Sequence, residues 1–198
     1  MTAVFDQVYR DVQSWAQAHG IRIRHDKLKR EKVGAFDGVS ATMNSDYGPE
    51  ERTYYLAHSL GSIVRWGLSQ TTVQEMFDQL RAAKKNRETE PERLERAIER
   101  YRAFEVESSE FAVWLLAELG PSSVIASYTN FMRADLEALS EFHRRGHAPV
   151  WRDFFSRWNE EVSSGRRRVE PYRPKAIPPF SPVRIENQEI LQEQGGQS

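Results

Sequence analysis

The apolar residues of this chain recur every three or four positions over most of its length, and this helical spacing constrains its fold more than any other feature. Only residues 21–25 and 32–43 have the character of strands, and Asp37–Gly38 within the second stretch is a strong signal for a hairpin turn. The sequence therefore predicts an α+β fold that is mainly helical, with a small β-hairpin or sheet near the N-terminus. The predicted helices cover residues 4–19, 49–66, 72–84, 93–119, 122–145 and 149–162.

Composition excludes several classes of function. With 198 residues the chain suits one domain, and the absence of cysteine excludes disulfides, cysteine-bound zinc and thiol catalysis. The net charge of −1 gives no overall attraction to nucleic acid or to anionic membranes. The first residues lack the pattern of a signal peptide, and no apolar stretch approaches the length of a membrane span, so we expect a cytoplasmic protein.

The last part of the chain differs in composition from the rest. Five of the nine prolines lie between Pro171 and Pro182, and the final residues are rich in glutamine, glutamate and glycine. Such a segment cannot bury enough apolar surface to fold alone. We therefore predict a domain at residues 1–165 and a proline-rich arm at residues 166–198. The arm is either flexible or docked in extended form on this domain or on a neighbour.

His58 begins a segment that is close to a zinc-binding motif. In the motif H-E-x-x-H, two histidines one helical turn apart hold zinc and the glutamate acts as general base. Here the segment reads His58-Ser59-Leu60-Gly61-Ser62 on a predicted helix, so Ser59 stands at the general-base position and Ser62 at the position of the second ligand. A serine hydroxyl is a poor zinc ligand beside imidazole and a poor base near neutral pH.

Two segments together suggest a family. The sequences YLAHSLGS at 55–62 and ESSEFAVWLL at 107–116 resemble the patterns T-L-A-H-E-L-G-H and E-A-N-x-F-A-x-x-L-L of the ImmA/IrrE metallopeptidases. The resemblance covers about residues 4–120 and implies a zincin-like scaffold. Within it His58 corresponds to the first zinc ligand, and Glu107 corresponds to the glutamate ligand on a later helix.

The departures from the family pattern decide the predicted function. Because the base and one ligand are replaced, the resemblance implies a catalytically inactive pseudopeptidase with no cofactor, in which His58 and Glu107 are vestigial ligands. Such a protein would regulate by binding a protein partner, in stress response, mobile elements or toxin–antitoxin pairs. An alternative is an active metal-dependent peptidase whose zinc is completed by an unexpected ligand. The predicted binding cleft is lined by Tyr54, Tyr55, Phe111 and Trp114.

Two further interpretations stay open. Arg22 and Arg24 begin a basic hairpin that could contact nucleic-acid phosphates, so a nucleic-acid-associated regulator is a second alternative, against the simpler interpretation of a solvated basic face. His58 could also be an ordinary helix residue that is hydrogen-bonded to Glu107 or to the backbone. Glu105 and Glu110 offer carboxylates equally available in sequence.

Overall fold

The computed structural model confirms the predicted fold class, a mainly helical α+β protein with a small sheet near the N-terminus. The structure describes residues 2–28, 33–147 and 149–185, without the side chains of Thr2 and Arg152. Its strands are β1 (Arg22–Asp26), β2 (Gly34–Phe36) and β3 (Ser40–Asn44). Its helices are α1 (Thr2–Ala18), α2 (Pro49–Leu68), α3 (Gln70–Lys85), α4 (Pro91–Leu119), α5 (Ser122–Arg145) and α6 (Trp151–Ser163).

The sheet places β3 between β1, which runs parallel to it, and β2, which runs antiparallel to it. The turn between β2 and β3 is held by Asp37, whose carboxylate accepts hydrogen bonds from the backbone N–H groups of Val39 and Ser40 at 3.1 and 2.7 Å. Gly38 in this turn has a φ of +83°, which glycine adopts without strain. The predicted hairpin turn at Asp37–Gly38 is therefore confirmed.

Helix α2 forms the centre of the fold because it packs against α1, α3, α4, α5 and the sheet. Its residues 56–64 are all buried, so this stretch has no solvent-facing side. Gly61 marks the closest approach to α4, since a methyl group on Gly61 would overlap the backbone oxygen of Ser108. Glycine at this position therefore allows the two helices to pack backbone against backbone.

The described part of the arm, residues 166–185, is extended and packs on the domain. Tyr172 and Ile185 are buried, at 4% and 2% exposure. The backbone N–H of Ile185 donates to the carbonyl oxygen of Asp37 at 2.9 Å, so the arm reaches the turn between β2 and β3. Of the two predicted states, the arm thus adopts the docked one on its own domain. The remainder of the predicted arm, residues 186–198, lies outside the described residues.

Candidate functional site

A buried hydrogen bond joins His58 on α2 to Glu105 on α4 and forms the centre of the candidate site. The distance from Nε2 of His58 to Oε2 of Glu105 is 2.7 Å, and both side chains are less than a tenth exposed. An ionised carboxylate can only accept a hydrogen bond, so Nε2 carries the proton and donates it. The two partners are brought together by the close packing of α2 and α4.

The other ring nitrogen of His58 faces two hydroxyl groups. Oγ of Ser109 lies 3.3 Å from Nδ1, and the hydroxyl of Tyr128 lies 3.5 Å from the same atom. These hydroxyls are the hydrogen-bond partners of Nδ1, and each can either donate to that nitrogen or accept from it. Both nitrogens of the imidazole are therefore engaged by protein groups.

Tyr172 closes this cluster from the arm. Its hydroxyl is hydrogen-bonded to Ser109, and burial raises the pKa of Tyr172 to about 12. Its ring centroid lies 6.4 Å from that of Tyr128, and the guanidinium carbon of Arg133 lies 3.9 Å from the Tyr172 centroid. The arm therefore supplies one wall of the buried polar cluster.

Asp135 on α5 extends the cluster toward the surface. Its carboxylate accepts a hydrogen bond from the hydroxyl of Tyr55 at 3.3 Å. Burial raises the pKa of Asp135 from 3.8 to about 6, an effect that His58 opposes and Glu105 reinforces. Since Asp135 is partly exposed, the cluster meets solvent at this residue.

The two serines of the motif are buried beside His58. Ser59 is 5% exposed and Ser62 is 1% exposed, and Oγ of Ser62 has no hydrogen-bond partner among the described residues. A zinc ion would need an unprotonated nitrogen of His58 together with other strong donors, and these positions offer only neutral hydroxyls. Within the described part of the chain, no three histidine, aspartate or glutamate side chains are placed to hold a metal ion. The residues at this site therefore do not fit zinc.

The carboxylate that faces His58 belongs to Glu105, so the predicted pairing of His58 with Glu107 is wrong. Glu107 instead forms ion pairs with Arg65 of α2 and with Lys175 of the arm, and it is partly exposed. Successive residues of an α-helix are about 100° apart around its axis, so positions 105 and 107 face different sides of α4. The inward face of α4 carries four buried residues at helical spacing. Ser108, Ser109 and Ala112 follow Glu105 by three, four and seven positions, and this spacing is the signal that the sequence offers.

Two of the four residues predicted to line a binding cleft belong to the core. Tyr54 and Phe111 are 1% and 0% exposed, because α2 and α4 are covered on the sides that carry them. The prediction of a cleft is therefore wrong for Tyr54, whereas the ring of Phe111 is covered by Lys175 of the arm. Tyr55 and Trp114 are partly exposed and pack at the margin of the core.

Arg22 and Arg24 are exposed on β1, an edge strand of the sheet. The basic residues that follow them at 29–32 lie outside the described residues. The two arginines are thus accessible, and their contact with nucleic acid stays a prediction.

Comparisons with known proteins reveal no relative of the chain. Family models, curated proteins and solved structures were compared with it, and none matches. The resemblance to the ImmA/IrrE family therefore stays a prediction. Over residues 2–28, 33–147 and 149–185, no helix combines the length and the apolar character that crossing a membrane requires.

Proposed function

We propose that this chain is a catalytically inactive, zincin-like module that acts by binding a protein partner. The observation that carries the proposal is the engagement of both nitrogens of His58, one by Glu105 and the other by the hydroxyls of Ser109 and Tyr128. In a zinc peptidase one of these nitrogens would bind the metal. Here a protein network occupies that position.

The energetics of the pair support this proposal. A metal at Nε2 would have to break the 2.7 Å hydrogen bond to Glu105 and remove the proton that makes it. Breaking a buried charge interaction is strongly destabilising unless a new partner replaces it. Ser62 offers only a neutral hydroxyl where the motif has a second imidazole. Ser59 likewise gives no general base to activate water.

The order of elements also supports a zincin-like scaffold. A first helix, three strands, the helix that carries His58 and a later helix that carries its carboxylate partner follow one another along the chain. This is the order that the resemblance to ImmA/IrrE implies. We expect a peptidase-like scaffold that lacks its catalytic residues to act by binding other proteins. Such binding would suit a regulatory role in stress response, mobile elements or toxin–antitoxin pairs.

Zinc content of the purified full-length protein tests the inactive site. We expect well below one zinc per chain and no hydrolysis of peptides by the wild type. The variant Ser62→His should bind zinc more tightly than the wild type, because it restores an imidazole one turn after His58. Adding His58→Ala to that variant should remove the gain. Stoichiometric zinc in the wild type that His58→Ala abolishes, together with peptide hydrolysis, would contradict the proposal.

A reconstituted complex tests the binding role. Affinity capture from the native cell would supply a candidate partner, which is then purified and mixed with the wild type. We expect a complex of defined stoichiometry by sedimentation, in which mass spectrometry finds the partner intact. Cleavage of the partner on mixing would refute the role. So would a partner whose affinity for this protein is no higher than its affinity for an unrelated protein.

A further inference from the structure

We propose that the groove that holds the arm is a recognition site for an extended basic peptide in which an aromatic residue precedes a lysine by three positions. The arm, with Tyr172 and Lys175, is then the resident occupant that a partner displaces. This inference rests on the proposed function, since it identifies the surface and the partner chemistry of the binding module.

The aromatic position of the groove is built from three side chains. The ring of Tyr172 lies against the guanidinium of Arg133 and near the ring of Tyr128, and its hydroxyl reaches Ser109. Arg133 also donates from Nε to the backbone oxygen of Glu170 at 3.0 Å. An aromatic ring with a hydroxyl thus fills this position and touches the network around His58.

The lysine position is formed by residues 107–111 of α4. The backbone N–H of Lys175 donates to the carbonyl oxygen of Glu110 at 3.1 Å. Its ammonium pairs with the carboxylate of Glu107 and lies 5.2 Å from the ring centroid of Phe111. A carboxylate and an aromatic face together select a cation.

Two glycines shape the rest of the groove. A methyl group on Gly67, near the end of α2, would lie 2.6 Å from the backbone oxygen of Ser181. At Gly38 a methyl group would overlap the backbone oxygen of Val183. At these two glycines the domain therefore contacts the backbone of the arm, so the contact does not depend on which side chains the bound segment carries.

Charge supports a basic occupant. The acidic groups of the domain that pair with residues 168–185 in the described structure are Glu107, beside Lys175, and Asp37, whose carboxylate lies 3.9 Å from Nη1 of Arg184. Residues 168–185 contain four basic residues and one acidic residue, so this segment is itself strongly basic. A partner segment with the same charge would meet the same two carboxylates.

The arm is held at separated anchors and is therefore displaceable. Between its anchors the side chains at 173, 174, 176, 178 and 179 are exposed. The joint to α6 contains Gly165 in the left-handed region, with a φ of +73°, and continues as Arg166–Arg168, which are exposed. A tethered segment competes through its high local concentration, so weakening a few anchors is enough to open the groove to a free peptide.

A labelled peptide with the sequence of residues 168–185 tests the inference by fluorescence anisotropy on full-length protein. The double variant Tyr172→Ala/Lys175→Ala removes two anchors from the arm and leaves the groove intact. We expect it to bind the peptide at least about tenfold more tightly than the wild type, because the internal competitor is weakened. The matched control Arg173→Ala/Pro174→Ala changes exposed arm residues and should behave as the wild type.

Further variants locate the binding. Adding Gly67→Ala to the anchor variant should abolish peptide binding, and a peptide with alanine at the tyrosine position should bind at least about tenfold more weakly. Circular dichroism confirms that each variant is folded, and Lys175→Ala alone serves if the double variant unfolds. Zinc content measured on the same samples reports separately on the inactive site.

Three results would overturn the inference. The first is a folded anchor variant that does not bind the peptide, and the second is equal binding to the wild type and to all variants. The third is a wild-type dimer that the anchor variant loses, because it would assign the groove to the arm of a second copy.

Discussion

Asp135 is a side chain whose ionisation opposes folding. Its pKa of about 6 exceeds the ordinary value of 3.8, so the folded state holds the proton more tightly than the unfolded state does. The stability that this group contributes is complete below pH 3.8 and is lost as the pH rises through about 6. The loss amounts to about 3 kcal/mol. A carboxyl group with a pKa raised in this way is typical of functional sites.

The variant Asp135→Asn should therefore stabilise the protein at high pH. We expect its free energy of unfolding to exceed that of the wild type by about 1–3 kcal/mol above pH 7, with no gain below pH 4, because an amide has no charge to bury. Its side-chain oxygen still accepts the hydrogen bond from Tyr55. Urea denaturation over this pH range measures the difference. The control Asp153→Asn changes an exposed carboxylate on α6, and a similar pH profile for both variants would contradict the expectation.

Single residues also show how far the sequence alone can identify the site. His58 can be identified from the sequence because a motif is a local pattern. The sequence also predicts a hydrogen bond from His58 to a carboxylate, although it does not identify which one. The choice between Glu105 and Glu107 depends on the rotation of α4 about its axis, which pattern matching does not consider. Asp135 and Tyr172 reach the cluster from elements distant in sequence. Their placement depends on packing, so no local signal predicts it.

At the level of elements, the contact of α2 with α4 decides whether the polar cluster can form. Gly61 lets the backbones of the two helices meet at Ser108, and the hydrogen bond between His58 and Glu105 spans the same contact. This gives a physical reason for the glycine in the segment His58–Ser62. Gly61 fixes the distance between α2 and α4 whether or not a metal is bound.

The variant Gly61→Ala should destabilise the protein although alanine favours helix. The new methyl group meets backbone rather than a movable side chain, so the helices must separate. We expect a net loss of about 1–3 kcal/mol, since overpacking outweighs a gain in helix propensity of about 1 kcal/mol. Urea denaturation measures it. The neighbouring variant Ser62→Ala removes a hydroxyl that has no partner among the described residues and should change little. Equal stability of Gly61→Ala and the wild type would refute this account.

The elements differ in how well the sequence predicts them, for a physical reason. The predicted helix at 122–145 coincides with α5, and the predicted end before Gly120–Pro121 coincides with the end of α4. Helix periodicity and breakers act within a few residues. The parallel pairing of β1 with β3 joins strands that are not adjacent along the chain, and its register therefore depends on the whole fold.

At the scale of the whole molecule, the arm crosses several elements without belonging to any of them. It touches α4 at Lys175, the end of α1 where the ring of Phe180 stacks with Trp15, and the turn at Asp37. It buries few residues over a long path. Its opening should therefore need less free energy than unfolding of the helices it covers.

Hydrogen exchange measures this difference in stability. We expect the amides of Lys175 and Ile185 to exchange by local opening, at least about tenfold faster than amides in the buried half of α4, because few contacts hold them. Tyr172→Ala should accelerate exchange at Lys175 further and leave the interior of α2 unchanged. Exchange of both arm amides only through global unfolding would show that the arm is an integral part of the core.

The hydrogen bond from Ile185 to Asp37 also bears on how the chain is made. The sheet is synthesised early, whereas the segment that covers its turn leaves the ribosome after all six described helices. Translation adds about 5–20 residues per second, so the turn waits for about 7–30 seconds before its cover arrives. After α5 has completed the groove and before residues 168–185 follow, the nascent domain presents an open groove to a partner with a suitable extended segment. The moment of synthesis is therefore when this protein is most receptive to a competitor of its own arm.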